Sequence, residues 1–254
     1  MGSLTVVGIG PGPRGHLTAE AVRAIAEAEV VVGYHRYLSF IEPLIRGKVR
    51  FGSSMRQEIE RADAALRAAR EGKKVCAVAD GDACVYGLGG LILERMTEED
   101  LAAIDLSFVP GITAANAAGA VLGAPLMNDY VVLSLSDLLT DRQVILRRLH
   151  AAGAGDFVTA LYNPRSRTRK DLLLVAREIF LEHRSGGTPV GIVRNALREG
   201  SAVHLCTLAT LDRHVEEVDM SSIVIVGNST SRRVGDYIVT PRGYGTKGDT
   251  DHEA

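Results

Sequence analysis

Three β-branched runs in the first half of the chain each lead straight into a glycine-bearing turn. The runs are residues 5–9, 75–78 and 106–109. The turns are Gly8-Ile9-Gly10-Pro11-Gly12, the segment from Asp80-Gly81-Asp82 to Tyr86-Gly87, and Val109-Pro110-Gly111-Ile112-Thr113-Ala114-Ala115-Asn116. Between them the period changes to helical. Thr18 can cap a helix over 18–28 with Glu20 at its positive end, and Ser54-Met55-Arg56-Gln57 reads as a capping box for a helix to about Glu71. Gly72 then supplies a left-handed stop, and a further helix covers 88–95. A second strand is expected at 29–32. Strands alternating with helices predict an α/β fold on a parallel or mostly parallel sheet, in which the turns after the strands share one edge. Three glycine-bearing turns on one edge imply one ligand cleft.

The pattern restarts after Pro125. Strands are expected at 130–135, 157–162, 190–193, 202–206 and 223–226, with helices at 141–151 and 169–183 and a short helical piece at 211–218. The simplest partition is two α/β domains, 1–113 and 114–241. They are followed at 242–254 by a Gly-, Thr-, Lys- and Asp-rich tail of disordered composition.

Composition narrows the function. The net charge of −2 excludes a strongly basic duplex-binding domain, and 5% aromatic residues with no Trp argues against base stacking. Cys76, Cys84 and Cys206 show no metal-ligand spacing, and their odd number suits a reducing, cytoplasmic setting with no structural metal. The longest weakly polar run, 111–127, is interrupted by Thr113, Asn116 and Pro125, so no membrane span is expected.

The first turn invites a dinucleotide reading, but Pro13 stands where the third glycine of that fingerprint belongs. The second strand ends Val31-Val32-Gly33-Tyr34, without an acid for a ribose. The second turn carries two carboxylates and two glycines at a strand end, as a polar small-molecule site requires. Basic side chains follow two later strands: Arg165, Arg167, Arg169 and Lys170 after one, Arg194 after the next. Arginine suits bidentate carboxylate binding, and basic charge at a helix start opposes the helix dipole, which favours a functional reason for it.

Taken together and in order, these segments resemble the tetrapyrrole (corrin and porphyrin) methylases. That family begins with a Gly-x-Gly-Pro-Gly loop, has a Gly-Asp-Pro-like segment after the third strand and a Val-Pro-Gly-x-[Ser/Thr]-[Ser/Ala] segment after the fourth. The likeness continues through Leu161-Tyr162-Asn163-Pro164-Arg165-Ser166-Arg167, Pro189-Val190-Gly191-Ile192-Val193-Arg194-Asn195-Ala196 and Thr207-Leu208-Ala209-Thr210-Leu211. Within the family, the Tyr162, Gly191 and Ser134-to-Leu139 segments look like the branch that methylates C-17 of precorrin-3B. Ala83 departs from the family's proline, Cys206 from a frequent glycine, and Asn128 from a histidine expected in this branch.

The resemblance implies the tetrapyrrole-methylase fold, two α/β domains with a cofactor trough between them, working as a homodimer. It implies S-adenosyl-L-methionine as methyl donor, S-adenosyl-L-homocysteine as product and a tetrapyrrole substrate on the route to cobalamin, with no nucleic acid. Carried over by position, cofactor contacts come from Pro11, Gly81, Asp82, Val85, Tyr86, Thr113, Ala114, Tyr162, Asn163, Asn195, Ala196, Thr207 and Leu208. Arg165, Arg167 and Arg194 are the substrate-carboxylate candidates. The branch couples C-17 methylation to ring contraction, which needs an acid or base; Asp82, Tyr86, Asp129 and Asp137 are the candidates. The same reaction on the cobalt-containing precorrin-3, a methyltransferase acting on another tetrapyrrole carbon, an RNA or protein methyltransferase of this fold, and a non-catalytic tetrapyrrole-binding module are the alternatives.

Overall fold

The structure is a computed structural model and describes residues 1–244. The expected tail falls mostly at 245–254, outside the described residues. By its contacts the chain divides into two compact units, Met1–Ala114 and Ala115–Ala254.

In the first unit the strands are β1 (Gly2–Gly8), β2 (Val30–Tyr34), β3 (Val49–Ser53), β4 (Lys74–Ala79) and β5 (Ile104–Val109). They form one sheet in the order β3-β2-β4-β1-β5, every neighbouring pair parallel. Alternation of the side chains decides which helices cover which face. Leu4, Val6, Val75 and Ala77 face Ala65, Leu66 and Ala69 of α4 (Glu58–Arg70) and Ile92 of α5 (Gly89–Arg95). Val7, Ile9, Val31, Cys76 and Val78 face α1 (Ala19–Glu27), α2 (His35–Phe40) and α3 (Glu42–Ile45) through Ala21, Ile25, Leu38 and Ile45, with Ile41 between α2 and α3 in the same cluster. A parallel sheet apolar on both sides and covered on both sides is the arrangement that helical crossover connections produce. Burial within it pushes the Cys76 thiol up to about 12. α6 (Glu98–Ala103) leads into β5 from a reciprocal cap between Thr97 and Asp100.

Thr18 caps α1 as expected, its Oγ1 accepting from the Ala21 amide at 3.0 Å, and Gly72 takes the left-handed conformation at φ 82°. The Ser54 capping box does not form. Arg56 turns left-handed at φ 68°, so α4 starts at Glu58, and only half of the reciprocal pair survives, Ser54 N–H donating to Gln57 Oε1 at 2.7 Å.

The second unit contains α7 (Ala114–Leu122, which starts at the boundary), β6 (Gly123–Ala124), β7 (Tyr130–Ser134), α8 (Arg142–Ala154), β8 (Val158–Tyr162), α9 (Leu172–Leu181) and β9 (Pro189–Arg194). β10 (Ala202–Thr207), a 3-10 helix (Leu208–Glu217), β11 (Ser222–Val226), β12 (Arg232–Val234) and β13 (Tyr237–Val239) follow. Its main sheet has the order β10-β9-β11-β8-β7 and is mixed. β7 and β8 are parallel, but β11 runs against β8 and β9, and β10 against β9. The expectation of a mostly parallel sheet therefore fails here. Residues 195–201, which join β9 to β10, are too few for a parallel crossover, so the chain must turn back. α8, α9 and the 3-10 helix bury one face around Leu149, Leu161, Phe180, Ile192 and Val224. Gly191 lets α7 lie on the other: a Cβ there would stand 2.5 Å from a Leu122 methyl. Among the described residues no helix is long and apolar enough to cross a membrane.

Candidate active site

The sheet order places β4, β1 and β5 side by side, so the three glycine-bearing turns emerge together at one carboxyl edge. They are fused there. Gly10 and Gly81 exchange backbone hydrogen bonds at 2.9 and 3.1 Å. Asp82 ties the turn after β4 to the one after β5: its Oδ1 accepts from the Cys84 amide at 2.8 Å and its Oδ2 from the Gly111 amide at 3.0 Å. A Cβ on Gly111 would lie 2.1 Å from the Gly81 oxygen, and one on Gly8 2.7 Å from it. These two glycines are thus required by backbone meeting backbone, and the room their missing side chains leave is already filled by the neighbouring turns. Gly10 and Gly81 have φ of 56° and 61°, which glycine alone adopts without strain. Tyr86 is strained at φ 53° and 57% exposed. Pro11 and Ala83 are buried, and Val85, Thr113 and Ala114 are half-buried.

In the second unit the register aligns Ser134 with Tyr162, Leu161 with Val224 and Arg194 with Ser222 at the start of β11, so β7, β8 and β9 end on one edge. Side chains hold this edge. Tyr162 Oη accepts from the Ala115 amide in the first turn of α7 at 2.8 Å. Asn163 is left-handed at φ 49° and its Nδ2 donates to Ser134 Oγ at 3.0 Å. Arg169, 7% exposed, donates to the Asn163 carbonyl at 2.9 Å and to Ser136 Oγ at 3.2 Å, and stands 3.9 Å from Asp137. Burial lowers the pKa of its guanidinium, against the pull of Asp137 and Asp171. Asn195 is likewise left-handed at φ 48°, and its Oδ1 is buried without a hydrogen bond. A buried amide oxygen with no donor is an acceptor held ready.

Residues 3–212 match the family model of the Tetrapyrrole (Corrin/Porphyrin) Methylases. The chain belongs to that family. It is therefore a tetrapyrrole-methylase-type methyltransferase, and members of this family take their methyl group from S-adenosylmethionine. The chain is similar to a probable cobalt-factor III C(17)-methyltransferase of Salmonella typhimurium, 44% identical over 95% of this chain and 99% of that protein. It is also similar to a cobalt-factor III methyltransferase of Priestia megaterium, 39% identical over 97% of this chain and 46% of that longer protein. The crystal structure of the methyltransferase CobJ superposes with a TM-score of 0.89 at 36% identity, covering 95% of this chain and all of that one.

Seen as a tetrapyrrole methylase, the chain does not gather all its candidate residues. Thr207 pairs with Pro189 at the start of β9, and the Leu208 amide bonds Thr188, so both lie at the opposite end of the second sheet from Asn163 and Asn195. Leu208 is fully buried in the core. Asp129 precedes β7 and is on that far end too, whereas Asp137 follows β7 and joins the Arg169 network. Arg165 is 9% exposed and its Nη2 is 2.6 Å from Glu216, while Arg167 and Arg194 are exposed. The helix-start argument for Arg169 and Lys170 lapses, because α9 begins only at Leu172. Ala196, next to Asn195, is half-buried. Sequence reasoning missed Ser134 and Ser136 as individual contacts, although they alternate with Leu135 on a strand end. It also missed Glu216, for which no local signal exists.

Proposed function

We propose that the protein transfers a methyl group from S-adenosylmethionine to C-17 of cobalt-factor III, with ring contraction, in the cytoplasmic synthesis of cobalamin. The reading rests on family membership for the chemistry and, for the position methylated, on the near-complete 44% match to the Salmonella C(17)-methyltransferase. The metal-free substrate precorrin-3B is the second reading, since the C-17 branch that the Tyr162-to-Arg167 segment resembles is the one that methylates it.

The donor supplies an electrophilic methyl group on a sulfonium, and displacement at it is in-line. The protein's task is then to orient the two partners and exclude water. In the first unit Pro11, Gly81, Asp82, Val85, Tyr86, Thr113 and Ala114 are assigned to the donor, on turns locked to one another. Tyr162, Asn163, Asn195 and Ala196 of the second unit are assigned to the donor by the family resemblance, and the partnerless Asn195 Oδ1 fits the amine donors of S-adenosylmethionine. Thr207 and Leu208 are left out on their placement. Arg167 and Arg194, exposed at a strand edge, take substrate carboxylates. Asp137 is the carboxylate placed to handle a proton during contraction, since both oxygens of Asp82 are committed to backbone amides.

The test is to incubate the full chain with S-adenosylmethionine and, in separate arms, cobalt-factor III or precorrin-3B, with products read by mass spectrometry and NMR. A C-17-methylated product with S-adenosylhomocysteine in the cobalt arm is expected. Turnover in the metal-free arm alone selects the second reading, and methylation at another carbon overturns both. Sedimentation equilibrium tests the homodimer that the family resemblance implies.

A further inference from the structure

We propose that His204, His214 and Glu217 form a binding site for one divalent transition-metal ion, best suited to zinc, that clips the 3-10 helix onto β10. β10 is the edge strand of the second sheet, and His204 lies on it two residues before Cys206. His214 and Glu217 are three apart on the 3-10 helix, where residues i and i+3 eclipse, so both point the same way. His204 Nε2 is 2.8 Å from Glu217 Oε2, and His214 Nδ1 is 3.4 Å from Glu217 Oε1. One ligand atom from each residue falls within 4.8 Å of the other two. A tetrahedral zinc site with bonds of about 2.1 Å sets its ligand atoms about 3.4 Å apart, so small side-chain rotations bring the three into range.

A second observation points the same way. His214 Nδ1 is buried and makes no hydrogen bond, although Glu217 is its neighbour. A buried imidazole nitrogen without a partner is a lone pair or proton left unused, and a cation between it and the carboxylate satisfies both. The side chains remain 39%, 30% and 43% exposed, which leaves the ion an entry path and a fourth position for water. Two imidazoles and a carboxylate are borderline donors, matched to zinc rather than to calcium or magnesium. His150, Glu182 and His183 also come together, but all three are exposed there. They serve as the internal control.

The experiment uses the full chain, stripped with a chelator, and titrates zinc by calorimetry, with cobalt(II) absorption as a second readout. One ion per chain is expected at this site, together with an ion-induced rise of a few degrees in the unfolding midpoint. His204→Gln, His214→Gln and Glu217→Gln should each weaken zinc binding by roughly tenfold or more and abolish that rise, while His150→Gln with His183→Gln changes neither. Metal-free melting temperatures close to that of the parent separate loss of ligands from loss of fold. Unchanged zinc affinity in the three variants, or affinity lost only in the His150/His183 variant, overturns the site and leaves a plain ion pair.

Discussion

On the first sheet, the turns after β1 and β4 are held by backbone against backbone, and the Asp82 side chain ties the turn after β4 to the one after β5 by accepting from backbone amides. On the second sheet, the ends of β7 and β8 are held by a chain of side chains running from Ser134 through Asn163 and Arg169 to Ser136 and Asp137. At Gly8 and Gly111 the first kind of edge has no room for an added atom. The second has replaceable parts, each with its own cost, and it can vary in what it presents. A family that keeps one donor and changes its acceptor would be well served by a rigid first edge and an adjustable second one.

The strongest way to break this contrast is a single methyl. Gly111→Ala forces a carbon to 2.1 Å from the Gly81 oxygen, against backbone that cannot rotate aside. We expect a loss of roughly 3 kcal/mol or more. The midpoint of thermal unfolding should then fall by about 6–12 °C, and calorimetry should show no donor binding. A Gly111→Ala protein that melts and binds like the parent would mean the first edge is plastic.

Next comes Arg169→Met, which keeps the bulk of the buried chain but removes the donors to Asn163 and Ser136. Stranding the Asn163 carbonyl should cost about 2 kcal/mol, read by chemical denaturation. Arg169→Lys, with charge but no planar fork, should fall between parent and Met. Equal stability of all three would make the side-chain network incidental.

The same contrast explains what could be read from the sequence. The first unit was legible because its strands are apolar on both faces and its turns carry glycine, both local signals. The short pieces escaped. β3 has Val49, Arg50 and Phe51 exposed and sits at the sheet edge, so burial left no mark on its composition, and α2 and α6 are six residues each. In the second unit the motif residues were visible but their grouping was not, because grouping depends on strand direction. Thr207 closes its strand much as Asn163 and Asn195 follow theirs, yet β10 is reversed, which sends Thr207 to the far side. The short 195–201 link held that information. The role of Arg165 depends on Glu216, fifty-one residues away, and no spacing rule could have supplied it.

A smaller effect divides the arginines of the adjustable edge. Arg194 is exposed, whereas the guanidinium of Arg165 is engaged by Glu216. Arg194→Ala should raise the Michaelis constant for the tetrapyrrole about fivefold to tenfold, by loss of a charge-assisted contact. Arg165→Ala should leave that constant within about twofold and cost about 1 kcal/mol of stability, since its partner is open to solvent. Steady-state kinetics showing the reverse order would return Arg165 to the substrate.

The smallest effect compares the two scaffolds away from either edge. In the first unit the Arg70 fork, and then the Thr97 backbone amide, hold the Asp100 carboxyl far below the usual carboxylate range, and Asp100 is nearly buried. In the second unit Arg142 lowers Asp171 in the same way, but with that carboxylate 58% exposed. A folded value below the unfolded one means the stabilisation is complete above about pH 4 and drains away as the pH falls towards the folded value. Asp100→Asn should therefore be less stable than the parent at neutral pH yet lose less on acidification, so that the two melting curves converge between about pH 4 and pH 2. Asp171→Asn should converge on the parent from a smaller initial gap, because water already screens that pair. Parallel pH profiles for parent and Asp100→Asn would show that acid instability begins elsewhere, and would remove the scaffold of the first unit as the stiffer of the two.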